Sequence, residues 1–308
     1  MIRHEYSRIA ETMYEDRLEN GLGVFVFSKP EFRKSYAFFA TRYGGMDTRF
    51  QLDGQWLDTP MGIAHYLEHK MFDMPGGGNA LQTLSATGAS PNAFTSTAIT
   101  GYHFECAEGF WENLRTLLSF VSVPYFTKES VEKEQGIIGQ EIRMIEDRPG
   151  WQAYHRLLEA LYEHHPVRNS VAGSVESIAQ ITAETLYHCH EAFYTPSNMV
   201  LCVAGNVDPE QVCAMAREIL PKEAKPAIPR DYGSNEPSQV YCQEDVLTME
   251  VAAPLLQIGV KLQAAHDGPA QLRQRLLGDL ACDALVGSSS PLYSKLYAEG
   301  LINDSFYM

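Results

Sequence analysis

The sequence lacks several features that would place it in a disulfide-rich, redox or membrane class. None of its six cysteines forms a CxxC pair, so neither a zinc ribbon nor a thioredoxin-type site is predicted. No apolar run is long enough to span a bilayer, and residues 1–5 are not followed by a hydrophobic signal region. We therefore expect a soluble, cytoplasmic protein that needs no membrane and keeps its thiols free.

Basic side chains are also scarce. The chain has 24 lysines and arginines against 39 acidic residues, a formal net charge of −15. This balance argues against a nucleic-acid partner, because nucleic-acid binding normally needs a basic face. The acidic excess would weakly favour cationic peptides, although its simpler interpretation is solubility. With 308 residues and 45% hydrophobic content, the chain is long enough for one large domain or two ordinary ones.

Short runs rich in aromatic and β-branched residues alternate with amphipathic helical patterns along the first part of the chain. Thr59-Pro60 predicts a helix start, and Thr127 is a candidate helix cap. The strands are predicted at 23–29, 35–43, 92–97, 100–106 and 199–204. The helices are predicted from 59 to about 73, at 109–121, from 127 to before 149, and at 151–162, 175–181, 183–193 and 209–220.

A change of composition separates this part from the rest of the chain. Residues 221–243 contain four prolines and few apolar residues, which is typical of a linker. A strand at 249–262, helices at 269–286 and 288–300, and a strand at 302–307 are predicted after it. We therefore expect a first domain at 1–220, a linker at 221–243 and a second domain at 244–308. The second domain has too few elements to close a core, so we expect it to be incomplete.

The segment His65-Tyr66-Leu67-Glu68-His69 lies in the first predicted helix. Two histidines four residues apart share one helix face, which is the spacing at which two imidazoles can bind one zinc ion. A glutamate next to both can deprotonate a zinc-bound water. This HxxEH order is a known zinc-peptidase signature, although a pentapeptide also occurs by chance.

A catalytic zinc site normally has three protein ligands, so a third ligand is needed. Glu134 and Glu141 are both candidates, because they lie seven residues apart on one face of the helix that begins at Thr127. The same face carries Val131 and Ile138, which indicates that it is buried. A buried carboxylate needs a partner, and a metal would supply one. The alternative is that both glutamates are ordinary solvated helix charges.

Six segments together resemble the pitrilysin/insulinase family of zinc metallopeptidases, and particularly its small bacterial members found as neighbouring gene pairs. The resemblance covers nearly the whole chain. The segments are HYLEHKMF at 65–72, SATGASPNAFTSTAITGYHFE at 85–105, VEKEQGIIGQEIRMIEDRPGW at 131–151, HPVRNSVAGSVESI at 165–178, FYTPSNMVLCVAGNVD at 193–208 and SSSPLYSKLYAEGLI at 288–302.

The resemblance implies a fold class and a partner. The fold would be α+β, with two related α/β layer domains in which helices cover an antiparallel-rich sheet, the second domain being incomplete. The family's second half usually supplies an Arg–Tyr element that binds substrate, and we expect this element to be missing from the 308 residues of this chain. We therefore expect peptide as the substrate, and either a homodimer or a heterodimer with a related subunit to complete the chamber.

The resemblance also implies roles for individual residues. His65, His69 and Glu141 match the ligands of one Zn²⁺ per chain. Glu68 matches the general base, and Glu134 matches the second catalytic glutamate, seven residues before the distal ligand. Asn92, Ala93 and Phe94 match the edge strand along which an extended peptide lies, although Asn92 alone could equally be a turn residue.

Three classes of function remain to be distinguished. The first is a zinc metalloendopeptidase that cleaves short unstructured peptides. The second is a peptidase-like partner subunit or fragment that needs a second half or chain for activity; the intact ligand set argues against an inactive partner. The third is a structural zinc protein, which fits poorly because three protein ligands leave an open position.

Overall fold

The computed structural model describes residues 1–233, 235–263, 265, 267–304 and 306. Contacts along the chain divide it into two units, Met1–Gly259 and Val260–Met308. The strands are β1 (Ile2–Tyr6), β2 (Glu11–Arg17), β3 (Gly23–Ser28), β4 (Ser35–Thr41), β5 (Arg49–Leu52), β6 (Gln55–Asp58), β7 (Asp73–Met74), β8 (Gly78–Asn79), β9 (Ser90–Thr95), β10 (Thr100–Cys106) and β11 (Met199–Gly205). The α-helices are α1 (Ile63–Lys70), α2 (Ala80–Ala86), α3 (Phe110–Ser122), α4 (Lys128–Glu146), α5 (Pro149–Leu161), α6 (Val175–Ile178), α7 (Ala183–Phe193), α8 (Pro209–Ile219), α9 (Gly268–Val286) and α10 (Pro291–Ala298).

The first unit is built on a seven-stranded sheet with the order β1-β2-β3-β11-β4-β10-β9. Only the β3–β11 pair of this sheet is parallel, and the other pairs are antiparallel. Alternate side chains of the central strands point to one face, where α1, α3 and α8 contact the sheet. This face holds the core, which includes Val24, Val26, Phe39, Tyr102, Phe104, Leu201 and Val203. The predicted antiparallel-rich sheet covered by helices is therefore confirmed.

Several elements of the first unit were not predicted from the sequence. β1 and β2 were missed because their residues, IRHEY and ETMYEDR, are polar and exposed or half-buried rather than alternating between core and solvent. The hairpin of β5 and β6 and the short helix α2 were missed too. Helix α1 begins at Ile63 and not at Thr59, and it ends at Lys70. Its cap is Gly62 at φ 89°, where a Cβ atom would lie 2.5 Å from the Ala172 carbonyl oxygen.

The predicted strand at 249–262 is wrong, since none of its described residues is in a strand. Its apolar side chains suggested a buried strand, yet Leu256 and Ile258 are 84% and 82% exposed. The prediction at 302–307 lies partly outside the described residues, and 302–304 and 306 are not in a strand. The two late helices are confirmed as α9 and α10. Leucines at 272, 276, 277, 280 and 285 of α9 are exposed.

The segment predicted as a linker lies within the first unit and is attached to the β5–β6 hairpin. The backbone N–H of Gln51 donates to Pro229, and that of Asp231 donates to Arg49. Arg230 forms an ion pair at 3.0 Å with Asp47, whose side chain is completely buried. The domain limits themselves stay a prediction. No helix among the described residues is both long and apolar enough to cross a membrane.

The buried His190 of α7 makes the first unit sensitive to acid. Its side chain is 8% exposed, its Nε2 lies 3.0 Å from the Val121 carbonyl oxygen, and burial lowers its pKa to about 4. The unfolded chain binds a proton at this histidine near pH 6.5, but the folded chain does so only near pH 4. Stability is therefore lost as the pH falls between these values, by on the order of 3 kcal/mol in total.

We predict that His190→Gln reduces this loss, because glutamine can still donate to Val121 but cannot be protonated. Urea unfolding at pH 7.0 and 5.5 measures it. The free energy of unfolding should fall by about 1 kcal/mol less in the variant than in the wild type. His164→Gln, at a histidine whose side chain is 54% exposed, serves as the control. Equal pH dependence in His190→Gln and wild type would contradict the prediction.

Candidate metal centre

Helix α1 carries the HxxEH segment, and its other face anchors it in the core. Tyr66 and Leu67 are completely buried. The Tyr66 hydroxyl donates to the Val131 carbonyl of α4. With α1 held in this way, His65 and His69 lie against Glu134 and Glu141 of α4, and Glu68 lies against Thr95 of β9. The position of α1 therefore brings the two histidines to the helix that carries the candidate glutamates.

His65, His69 and Glu141 converge on one point. A ligand atom from each lies within 4.8 Å of the other two. Glu141 places Oε1 3.7 Å from His65 Nε2 and Oε2 3.5 Å from His69 Nε2. The Nδ1 atom of His65 is buried and has no hydrogen-bond partner in the part of the chain that the structure describes. Two imidazoles and one carboxylate are a typical donor set for zinc, and three protein ligands leave a fourth position open. The residues present therefore fit a zinc ion.

Glu134 lies behind this cluster. Its Oε1 is 3.1 Å from His69 Nδ1. This contact makes Nδ1 the donor nitrogen of His69, so the lone pair of Nε2 is directed to the same point as His65 and Glu141. The two glutamates that the helical pattern could not separate thus occupy different positions. Glu141 belongs to the group of converging ligand atoms, and Glu134 orients a histidine.

The two histidines have different pKa values, because burial lowers the pKa of both and their neighbours differ. Burial and the neighbouring His69 lower the pKa of His65 to about 4, so this imidazole is neutral at pH 7. Burial also acts to lower the pKa of His69, but the hydrogen bond with Glu134 and the carboxylates of Glu68 and Glu141 outweigh it and raise the pKa. A metal ion that binds here must therefore compete with a proton mainly at His69.

Glu68 is in a position and an environment suited to a general base. It is 7% exposed, and its Oε2 accepts a hydrogen bond of 2.8 Å from the Thr95 hydroxyl at the end of β9. Burial raises the pKa of Glu68 above that of an ordinary glutamate, although Thr95 partly offsets this. A raised pKa brings a carboxylate closer to the range in which proton transfer at neutral pH is efficient. Thr95 was missed from the sequence, since no local pattern indicates a contact with α1.

The predicted substrate segment lies on the last strand of the sheet. Among the described residues, β9 pairs only with β10, so its other edge is open. Asn92 and Phe94 are exposed on it, Ala93 packs against the core, and β9 contacts α1. Asn92 pairs with His103 within the strand, which argues against the alternative that it is a turn residue. The structure thus brings the open edge and the metal cluster to neighbouring elements.

Sequence comparisons agree with this geometry. Residues 55–175 match the sequence model of the insulinase family, peptidase family M16, and residues 180–307 match that of the peptidase M16 inactive domain. A Bacillus subtilis protein named uncharacterized zinc protease YmfH is 43% identical over 308 residues, which cover 98% of this chain and 72% of YmfH. The chain belongs to the insulinase (peptidase M16) family.

Other members of the M16 family extend the comparison. A Mycobacterium leprae protein named uncharacterized zinc protease ML0855 is 34% identical over 164 residues, 52% of this chain and 37% of that one. The crystal structure of an M16-like peptidase from Alicyclobacillus acidocaldarius has a TM-score of 0.87 at 36% identity, and the match covers 99% of this chain and 72% of that one. The family predicted from the sequence segments is therefore confirmed. The insulinase match includes every predicted site residue.

We predict that His65→Ala, His69→Ala and Glu141→Ala each deplete bound zinc, because each removes one of three converging ligand atoms. Glu68→Gln should keep stoichiometric zinc, since Glu68 is not one of those ligands. Metal analysis of the purified, dialysed variants by mass spectrometry measures this. Glu132→Ala, at an exposed glutamate of α4, is the control. Stoichiometric zinc in His69→Ala would rule out the ligand assignment.

Proposed function

We propose that this chain is a zinc metalloendopeptidase that hydrolyses peptide bonds in short, unstructured peptides. The observation that carries the proposal is the convergence of His65, His69 and Glu141 beside the buried carboxylate of Glu68. Relatives named as zinc proteases support the same class of activity. One Zn²⁺ per chain and a cytoplasmic location are parts of this proposal.

The open edge of β9 would select the substrate by its backbone. An extended peptide can add to such an edge as a further strand, held by main-chain hydrogen bonds whatever its sequence. Asn92 Oδ1 accepts the Ala93 N–H at 2.9 Å, and we therefore assign this N–H to the open edge, where it can donate to a peptide once the side chain moves. Most of the backbone of a folded protein is already hydrogen-bonded within its own helices and sheets, so the preferred substrates are unstructured.

The proton transfers would be carried out by Glu68. A bound zinc ion lowers the pKa of water and polarises a carbonyl. With Oε2 bonded to Thr95, Glu68 has Oε1 free to take the proton of the attacking water and return it to the leaving amine. Glu134 keeps the His69 ring in its orientation through the contact with Nδ1. The role of Glu134 is thus to support a ligand rather than to touch the substrate.

The alternative is a peptidase-like subunit that binds zinc and peptide but needs a second half or chain for turnover. Two observations favour it. The described residues of the second unit form two helices and no strand, and the match over 180–307 is to a domain described as inactive. A homodimer or a heterodimer with a related subunit would complete the substrate chamber.

We predict that Glu68→Gln lowers the rate of cleavage about 10²–10⁴-fold while zinc remains bound, because the variant loses the general base. A library of quenched fluorescent peptides measures it, with Glu132→Gln as the control. Cleavage that survives in Glu68→Gln would contradict the mechanism. A zinc-loaded wild type that binds peptides without cleaving them, and gains activity only with a second chain, would support the alternative.

We also predict that Ala93→Pro raises KM for peptides about threefold to tenfold, because it removes one backbone donor at the open edge. Zinc content should not change. Ala93→Gly keeps the N–H and is the matched control. An unchanged KM in Ala93→Pro would argue against strand addition at β9.

A further inference from the structure

Lys70 is a charged side chain in an unusual place. It follows the candidate ligand His69 at the end of α1 and is only 2% exposed. Lysines are almost never buried without partners, because an unpaired ammonium group is costly to remove from water. Its Nζ lies 2.5 Å from Asp73 Oδ2, 3.2 Å from the Ser130 carbonyl oxygen and 3.6 Å from Glu134 Oε2.

Glu134 is therefore held from two sides. Its Oε1 faces His69 Nδ1 at 3.1 Å, and its Oε2 faces the Lys70 ammonium group. The terminal torsion of a glutamate is broad, so one contact alone does not fix the plane of the carboxylate. The ammonium group is itself fixed by Asp73 and by the first turn of α4. The second contact thus determines how Glu134 presents Oε1 to the imidazole.

Among the described residues, the buried Nδ1 of His65 has no hydrogen-bond partner, so a carboxylate contact at Nδ1 is a feature of His69. We propose that Lys70 is a positioning residue of the zinc centre: it holds the Glu134 carboxylate in the orientation that fixes the His69 ring with Nε2 towards the metal. This inference rests on the zinc site of the proposed function.

Three roles of Lys70 predict three different effects on zinc affinity. If only its charge mattered, Lys70→Met would bind zinc more tightly, since a positive charge near the site would be gone. If Lys70 only stabilised the fold, the variant would lose stability but keep its zinc affinity. A positioning role predicts weaker binding, of about 10–100-fold, as is typical when a group behind a metal ligand is removed.

The experiment is a double-mutant cycle on zinc affinity. The dissociation constant of zinc is measured by competition with a chelator in wild type, Lys70→Met, Glu134→Gln and the double variant. We expect the zinc affinity of each single variant to be lower than that of the wild type by about tenfold or more. The double variant should lose no further affinity, because both residues act through one hydrogen bond. The visible spectrum of the Co²⁺-loaded protein should change in the same way in both single variants.

Arg230→Met is the control for lost stability, since it removes the ion pair of the buried Asp47 and Arg230 is not part of the metal-binding cluster. It should lower the melting temperature and leave zinc affinity unchanged. Unchanged or tighter zinc binding in Lys70→Met overturns the inference. If Lys70→Met does not fold, Lys70→Gln, a neutral side chain that can still donate a hydrogen bond, carries the test, and unchanged or tighter zinc binding in Lys70→Gln overturns the inference. A wild type that binds no zinc instead refutes the proposed function.

Discussion

The site depends on one contact between helices, the packing of α1 against the first turn of α4. The Tyr66 hydroxyl and the Lys70 ammonium group both donate to backbone carbonyls there, at Val131 and Ser130. The start of α4 is fixed by a capping box between Thr127 and Ser130. Because the start of α4 is fixed, its helical repeat places Glu134 and Glu141 of α4 next to the histidines of α1. An HxxEH helix alone offers two candidate ligands, and this packing brings Glu141 to them as the third candidate.

A second constraint comes from the sheet. Because β9 ends at Thr95 beside α1, the hydroxyl that donates to Glu68 belongs to the strand that has one unpaired edge among the described residues. The proposed general base and the proposed substrate segment are therefore joined by a direct hydrogen bond. A general base must lie within hydrogen-bond distance of the group from which it takes a proton, and a small displacement of either group lowers the reaction rate. A direct contact between the two elements would limit such displacements.

The sequence predicted the parts of the site that follow local periodicity. His65, Glu68 and His69 were found because their spacing is a helix repeat. Glu134 and Glu141 share one helix face, so the helical pattern left them equivalent, and only the family resemblance or a distance could separate them. No local sequence pattern predicts the roles of Lys70 and Thr95. A lysine at a helix end is normally exposed to solvent, and Thr95 contacts Glu68 on a different element.

The fold shows the same limit. Central strands such as β4 and β10 carry the alternating pattern that a half-buried sheet imposes, and they were predicted. β1 at the sheet edge has no buried face, so it carried no such pattern. The apolar run at 249–262 led to the opposite error, because a buried strand was predicted where most of the residues are exposed. Hydrophobic residues are buried only where another surface covers them. A hydrophobic pattern indicates which residues would be stable when buried, but it does not show that another element covers them.

The composition of the site also bears on the choice between catalysis and structure. A structural zinc site closes its coordination with four protein ligands, whereas three ligands leave room for water. In the part of the chain that the structure describes, the converging ligand atoms come from His65, His69 and Glu141. Glu68, buried beside them, is hydrogen-bonded to Thr95 through one of its two oxygens. A buried carboxylate is costly for stability, and the proposed proton-transfer role of Glu68 would account for that cost.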